Sequence, residues 1–251
     1  MKLARFGRGG EALFGVAQGE VVQQIQDDGH GGYRVTDREY LLGEVKLLPP
    51  CLPSKIIGIG LNYRSHAEEI GLPVPGEPMV FLKAPSALIG HDERILYPAM
   101  SRRVDFEGEL AVVIAEEARG VSEREALSHV LGYTCINDVT ARDIQQRGHM
   151  DLSKGMDTFA PLGPFIETDL DPSDLLVQTR LNGELRQQAS TADMVFSVPR
   201  LIEYISAVMT LFPGDIIATG TPAGIGPMVP GDVVEVIVEG IGTLRSFVVS
   251  G

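Results

Sequence analysis

Residues 104–115, VDFEGELAVVIA, constrain the fold more tightly than any other segment of the chain. They begin with charged and uncharged residues in alternation and end in the unbroken apolar run 110–115. Alternation marks a strand with one wet face, and a short continuous apolar run marks a strand buried on both faces. A chain carrying such a segment must place layers on both sides of it, with carboxylates at the mouth.

The rest of the sequence reads as more short strands cut by glycine and proline. Runs at 2–6, 12–16 and 20–24 are separated by glycine turns, and 26–32 is a polar, Gly-rich loop. The proline-rich break at 48–53 places a boundary between a small N-terminal β domain, 1–50, and a main domain, 51–251. In the main domain, strands are expected at 55–60, 79–83, 131–137, 215–219, 232–239 and 243–249. A hairpin is expected at 175–189 around Asn182-Gly183, the preferred pair for a type I′ turn. Helical segments are few. A brief one at 65–70, before a loop with three prolines at 71–78, suits a mobile lid. Another at 122–130 has Ser122 and Glu125 spaced as a capping box. A turn of helix is expected at 140–146, and 197–209 is a helix with Pro199 in its first turn. The fold class is α+β, mainly β, a rolled or distorted mixed β-barrel.

The net charge of -13 sets the chain against nucleic acid and anionic membrane surfaces, whose phosphates would repel it. The charge does not exclude an anionic substrate, because a bound cation can reverse the field of a pocket. Cys51 and Cys135 lie far apart and neither belongs to a CxxC pair, so a disulfide framework is not expected. The N-terminus turns polar too soon for a signal peptide, and the apolar runs are too short to span a bilayer. A cytoplasmic protein is expected.

Chemistry concentrates at Glu107-Gly108-Glu109. On a strand, residues i and i+2 face one side, so both carboxylates project together and Asp105 extends the row. Side-by-side carboxylates repel unless a proton or cation lies between them, and hard oxygen ligands suit Mg²⁺, Mn²⁺ or Ca²⁺. For an isolated Glu-x-Glu a solvated strand face is the plainer reading, but the buried run that follows weighs against it. Asp138 ends the apolar run 131–136 and is a third acid at a strand end, or else the N-cap of the turn that follows. His66 and Glu69, three apart on one helix face, make a general base with its orienting carboxylate, or a plain surface pair. Lys154 sits in an expected loop, where a lone lysine is ordinarily solvated. The 219–226 loop, TGTPAGIG, could hold an anion on its backbone N–H groups, but it lacks the lysine of a nucleotide-binding loop.

Taken together, five segments resemble the fumarylacetoacetate hydrolase superfamily: GLNYRSHAEE at 60–69, DFEGEL at 105–110, NDVTARDIQ at 137–145, KGMDTFAPLGP at 154–164 and TGTP at 219–222. They stand in the family's order. The resemblance implies a β-roll-like fold, usually in a homodimer, and a Mg²⁺ or Mn²⁺ ion held by Glu107, Glu109 and Asp138. It implies that His66 and Glu69 activate water or shuttle a proton, and that Lys154 stabilises a developing enolate or carboxylate. It also places Arg142, Gln145 and Thr221 near the substrate, a small 2-oxo acid or its enol. The chain is shorter than the eukaryotic hydrolase that names the family. It is more similar to the acylpyruvase, oxaloacetate decarboxylase and 2-hydroxyhepta-2,4-diene-1,7-dioate isomerase members. Hydrolysis, isomerisation and decarboxylation would share this site, and a non-catalytic metal- or ligand-binding protein is the remaining alternative.

Overall fold

The computed structural model describes residues 1–27 and 32–251. The expected loop at 26–32 falls partly in the strand Val21–Asp27, and its centre lies outside the described residues. The architecture is mainly β. The largest sheet runs, in spatial order, through Tyr33–Leu41, Val21–Asp27, Glu11–Gln18, Lys2–Arg8, Ala160–Glu167, Val130–Asn137, Gly108–Ile114, Ile216–Ala218, Ile56–Gly60 and Met79–Lys83. A second sheet orders Glu184–Ser190, Leu176–Leu181, Val233–Val238, Gly242–Ser250 and Glu93–Tyr97. Three short strands, Thr140–Ala141, Val104–Phe106 and Gly226–Met228, form a third. None of these sheets closes on itself among the described residues.

The strand Gly108–Ile114 is central and buried along its whole length. Its side chains alternate between two cores, which is why its apolar run is continuous. Ala111 and Val113 join a cluster with Phe106, Phe159, Leu162 and Ile216. Leu110, Val112 and Ile114 join another with Val177, Ile202, Ile205 and Val236. The helix Val198–Val208 closes that second core with Leu201, Ile202 and Ile205; Ser197 accepts a hydrogen bond from the Arg200 N–H as its cap. The hairpin turn has Asn182 at φ 54° and Gly183 at φ 81°, as a type I′ turn requires.

The N-terminal strands continue the main sheet. Lys2 pairs with Glu167 and Leu3 with Ile166, and a small separate core gathers Ala4, Phe6 and Val22.

Two expected helices come out differently. Residues 122–130 hold only the 3-10 turn Ala126–His129. The Ser122 hydroxyl donates to the Glu125 carboxylate at 2.6 Å, so it caps no helix. The chain is committed at both ends: the Ala115 N–H donates to the His129 carbonyl, which pulls residue 130 into its strand. Residues 140–146 begin with the bridge Thr140–Ala141 and turn helical only at Arg142–Gln145. Among the described residues, no helix is long and apolar enough to cross a membrane.

Asp215 fastens the parallel pair formed by Ile56–Gly60 and Ile216–Ala218. Fully buried, its carboxylate accepts from the Ser54 N–H and hydroxyl, the Lys55 N–H and ammonium, and the Phe212 N–H. Burial opposes ionisation of Asp215, but the hydrogen bonds from Lys55 and Ser54 outweigh it and hold its pKa below the ordinary 3.8. A folded-state value below the unfolded one means that the stabilisation is complete above pH 3.8 and is lost as pH falls through the lower, folded-state value. We predict that Asp215→Ala costs roughly 2–4 kcal/mol at neutral pH, because several buried donors lose their acceptor. Urea unfolding of both proteins across pH should show that difference shrinking in acid; a gap independent of pH would remove the carboxylate's charge from the explanation.

Candidate active site

Two sheets meet at Glu107. The strand Val104–Phe106 belongs to the three-stranded sheet, and Gly108–Ile114 belongs to the main one. Glu107 is the switch: its N–H donates at 2.9 Å to the Asn137 side-chain oxygen instead of to a strand, and its carbonyl accepts from the Asp138 N–H. The switch brings Glu107 and Glu109 together and adds Asp138 from the end of the neighbouring strand. All three are buried, and each offers an oxygen within 4.8 Å of the others. Asp138 caps no helix, since Ala141 holds that position before Arg142–Gln145.

Asp105 leaves the row. Strand alternation holds only within one continuous strand, and the chain changes sheets between Asp105 and Glu109. Asp105 turns instead to Arg103 at 2.9 Å and to Arg142 at 2.8 Å.

The glycine between the two glutamates is required by a close approach. A Cβ on Gly108 would lie 2.0 Å from the Thr179 hydroxyl oxygen. Gly220 is similarly constrained, with φ 103° and Asn62 where a Cβ would go. Its N–H donates at 2.8 Å to Glu109. The Gly224 N–H donates at 2.9 Å to Glu69. The 219–226 loop therefore does hold anions on its backbone, and they are the protein's own carboxylates.

Lys154 is no solvated loop residue. It ends the helix Met150–Lys154, is buried, and donates to Glu107 at 2.6 Å and to Asp138 at 2.5 Å. Arg142 donates to Glu107, Asp105 and Gln145. Burial lowers the pKa of Lys154, but the charges of Asp138 and Glu107 overcome that and raise it, keeping the ammonium charged. Burial likewise opposes charge on Glu107, but Lys154 and Arg142 hold its carboxyl well below the usual range. Glu109 goes the other way: burial, then the charges of Asp138 and Glu107, push its pKa well up. Among the described residues Glu109 accepts no hydrogen bond from a cation.

The helix Arg64–Glu69 brings up His66. Its Nδ1 lies 2.9 Å from Glu69 and the ring is largely buried. His66, Glu107, Glu109, Asp138, Arg142, Gln145, Lys154 and Thr221 all line one cavity of about 160 Å³, with Glu69 behind His66. Eight of the nine residues singled out from sequence thus face one space.

Three supporting residues went unread in the sequence. Lys83, at the end of Met79–Lys83, is buried and donates at 2.5 Å to the Asp138 oxygen that Lys154 leaves free. Asn137 holds the Glu107 N–H. Gln187 accepts from the Gly108 N–H and donates to the Thr221 hydroxyl and the Pro222 carbonyl, tying the glutamates to the 219–226 loop. Thr221 in turn donates at 3.0 Å to the Gly108 carbonyl. A strand-end lysine and two amides carry no pattern that spacing can reveal, because their partners lie far along the chain.

The donor set fits a divalent cation. Three clustered buried carboxylates are hard oxygen ligands, and one of them lacks a cationic partner in a ring that already holds two ammonium groups. The cluster offers neither sulfur nor imidazole, which sets it apart from a zinc site.

This mainly β fold with few helices is shared by an enzyme family of hydrolases, isomerases and decarboxylases. The chain belongs to the fumarylacetoacetate hydrolase family: residues 55–249 match the model for the fumarylacetoacetate (FAA) hydrolase C-terminal region, and residues 1–50 match the Rv2993c-like N-terminal model. It is 46% identical over 223 residues to the oxaloacetate tautomerase YisK of Bacillus subtilis, covering 82% of this chain and 74% of that protein. Its fold matches the 2-hydroxyhepta-2,4-diene-1,7-dioate isomerase of Mycobacterium marinum with TM-score 0.92 at 42% identity, over 100% of this chain and 98% of the other. It also matches the maleylpyruvate hydrolase of Sphingobium sp. SYK-6, solved with manganese(II) and pyruvate, with TM-score 0.85 at 34% identity over the full length of both chains.

Losing an outer partner of a metal ligand typically costs 10–100-fold in affinity, and losing the ligand costs more. We predict that Glu109→Gln weakens Mn²⁺ binding by more than ~100-fold and Gln187→Ala by about 10-fold. Mn²⁺ titration followed by electron paramagnetic resonance checks both; wild-type affinity in Glu109→Gln would take Glu109 out of the site.

Proposed function

We infer that this protein is a divalent-metal-dependent enzyme that acts on a small 2-oxo acid or its enol, and that it hydrolyses a carbon–carbon bond of an acylpyruvate-type substrate. One observation carries the reading: the buried Glu107–Glu109–Asp138 triad and the His66–Glu69 pair face the same cavity.

A Mg²⁺ or Mn²⁺ ion held by the triad would supply Lewis acidity to the 2-oxo group. The chain's own residues do the rest. Arg142, Gln145 and Thr221 line the cavity where a carboxylate and its neighbouring carbonyl can be oriented. With Nδ1 engaged by Glu69, His66 has Nε2 to take a proton from water. The hydroxide so formed adds to the distal carbonyl carbon. The bond from that carbon to C3 breaks, and its electron pair passes into the enolate of the pyruvate half, whose charge Lys154 opposes. The proton held by His66 returns to C3, and the products are pyruvate and a carboxylic acid, which releases its proton to solvent as a carboxylate. Water and substrate account for every atom.

Tautomerisation is the second reading, favoured by the likeness to the Bacillus subtilis tautomerase. There His66 would move a proton between C3 and the oxygen with no attacking water. A homodimer and a cytoplasmic setting are part of the proposal.

Turnover of acetylpyruvate, fumarylpyruvate, oxaloacetate and a hydroxymuconate-type dienol with Mg²⁺, then with EDTA, tests the proposal. We predict that EDTA abolishes turnover of whichever compounds react. His66→Ala is predicted to cut turnover by roughly 10²–10⁴-fold while Mn²⁺ binding persists. Full activity in that variant would refute the base assignment.

A further inference from the structure

The cavity has two unlike ends. One is the charged pole described above. The other is a wall of Ile70, Leu72, Met79 and Met150, with Phe81 at its foot. These four side chains are 37–51% exposed although each is large and apolar. Apolar side chains scattered singly on a surface need no explanation, but here they line the rim of one cavity, contiguous with its polar end. Met150 is tied to that end directly, since the Gln145 amide donates to its sulfur at 3.4 Å.

The wall carries no cation. Among the residues that line the cavity, the permanent cations are Arg142 and Lys154, and both are already bound to carboxylates of the charged pole. Arg147 and His149 precede Met150 in the chain, but neither lines the cavity, and Arg147 donates to the Asp143 carbonyl. The other charged neighbours of the wall in sequence are acids: Glu68, Glu69, Glu77 and Asp151. A second carboxylate at the far end of a substrate would therefore lose part of its hydration against methionine and leucine, with no cationic partner among the lining residues to offset the loss. That is costly, whereas each methylene placed on such a wall is favourable.

Resting on the reading of the charged pole as a 2-oxo acid site, we propose that the distal end of the substrate is uncharged and apolar, a short alkyl chain, and that Ile70, Leu72, Met79 and Met150 select it over a distal carboxylate. The cavity of about 160 Å³ has to hold head and tail together, which keeps the tail short. The pole would hold the 2-oxo acid head, and the alkyl tail would run out along the rim.

The test is a binding measurement with two unreactive probes of equal carbon number, 2-oxohexanoate and 2-oxoadipate, by calorimetry on the Mn²⁺-loaded protein, with oxalate as a probe of the pole alone. The expected result is that oxalate binds, and that 2-oxohexanoate binds tighter than 2-oxoadipate by roughly tenfold or more. Met150→Lys should narrow or reverse that ratio, whereas Met150→Leu should keep the preference. Equal or tighter binding of 2-oxoadipate by the wild type, with oxalate bound, would overturn the distal assignment and spare the pole. Failure of oxalate to bind would overturn both. A ratio unchanged in both Met150→Lys and Leu72→Lys would take the selection away from this wall.

Discussion

Three carboxylates buried within reach of one another are the constraint on which the rest of the structure depends. Each would be costly to strip of water alone, and together they repel. The fold answers with cations placed from other parts of the chain. Lys83 and Lys154 take one oxygen each of Asp138, and Lys154 and Arg142 share Glu107. Glu109 is left with a backbone N–H, and burial beside two charged acids raises its pKa, so it is the carboxyl that most needs a proton or a cation. A site compensated in part, with one acid outstanding, is suited to a bound cation.

Much of the architecture serves that arrangement. The main sheet delivers Glu109 and Asp138 from adjacent strands and Lys83 from its edge. The three-stranded sheet takes the chain away at Glu107, which frees that residue's N–H for Asn137. Gln187, from the second sheet, then joins Gly108 to the 219–226 loop. That loop reaches both Glu109 and Glu69, so the triad and the His66 helix are fixed by one segment. Rigidity at the carboxylates and exposure at the apolar rim are thus built side by side. The first suits positioning of a reacting group, and the second suits accommodation of a tail.

What was legible in the sequence was whatever depends on near neighbours. The buried half of the 104–115 segment, the Asn182-Gly183 hairpin and the helix with Pro199 in its first turn carry their reasons within a few residues, although the segment itself breaks at Glu107 into strands of two sheets. So does the His66/Glu69 pair, which forms as its spacing implies; Glu107 and Glu109 also come together, but through the change of sheets at Glu107. Long-range partners decided the rest. Asp105 leaves the row because the chain changes sheets beside it. Lys154 lies buried in a helix because distant acids hold it there. The strand Tyr33–Leu41 is an edge whose side chains are mostly exposed, so its few apolar residues are interrupted by the polar run 36–39 and give no clear alternation. The Ser122 capping box misled for the opposite reason: the local signal is present, but strands on either side claim the chain. The order of five short motifs carried the family reading further than any one of them could.

The central claim is that Glu107, Glu109 and Asp138 form one cation site facing His66. Crystals grown with Mn²⁺ and measured at the manganese absorption edge test it most directly, because the anomalous signal reports the metal's position independently of activity. The account predicts a single strong peak among these three carboxylates, with Lys154 displaced from at least one of them. A peak elsewhere, or none while both lysines keep their hold on Asp138, would contradict it.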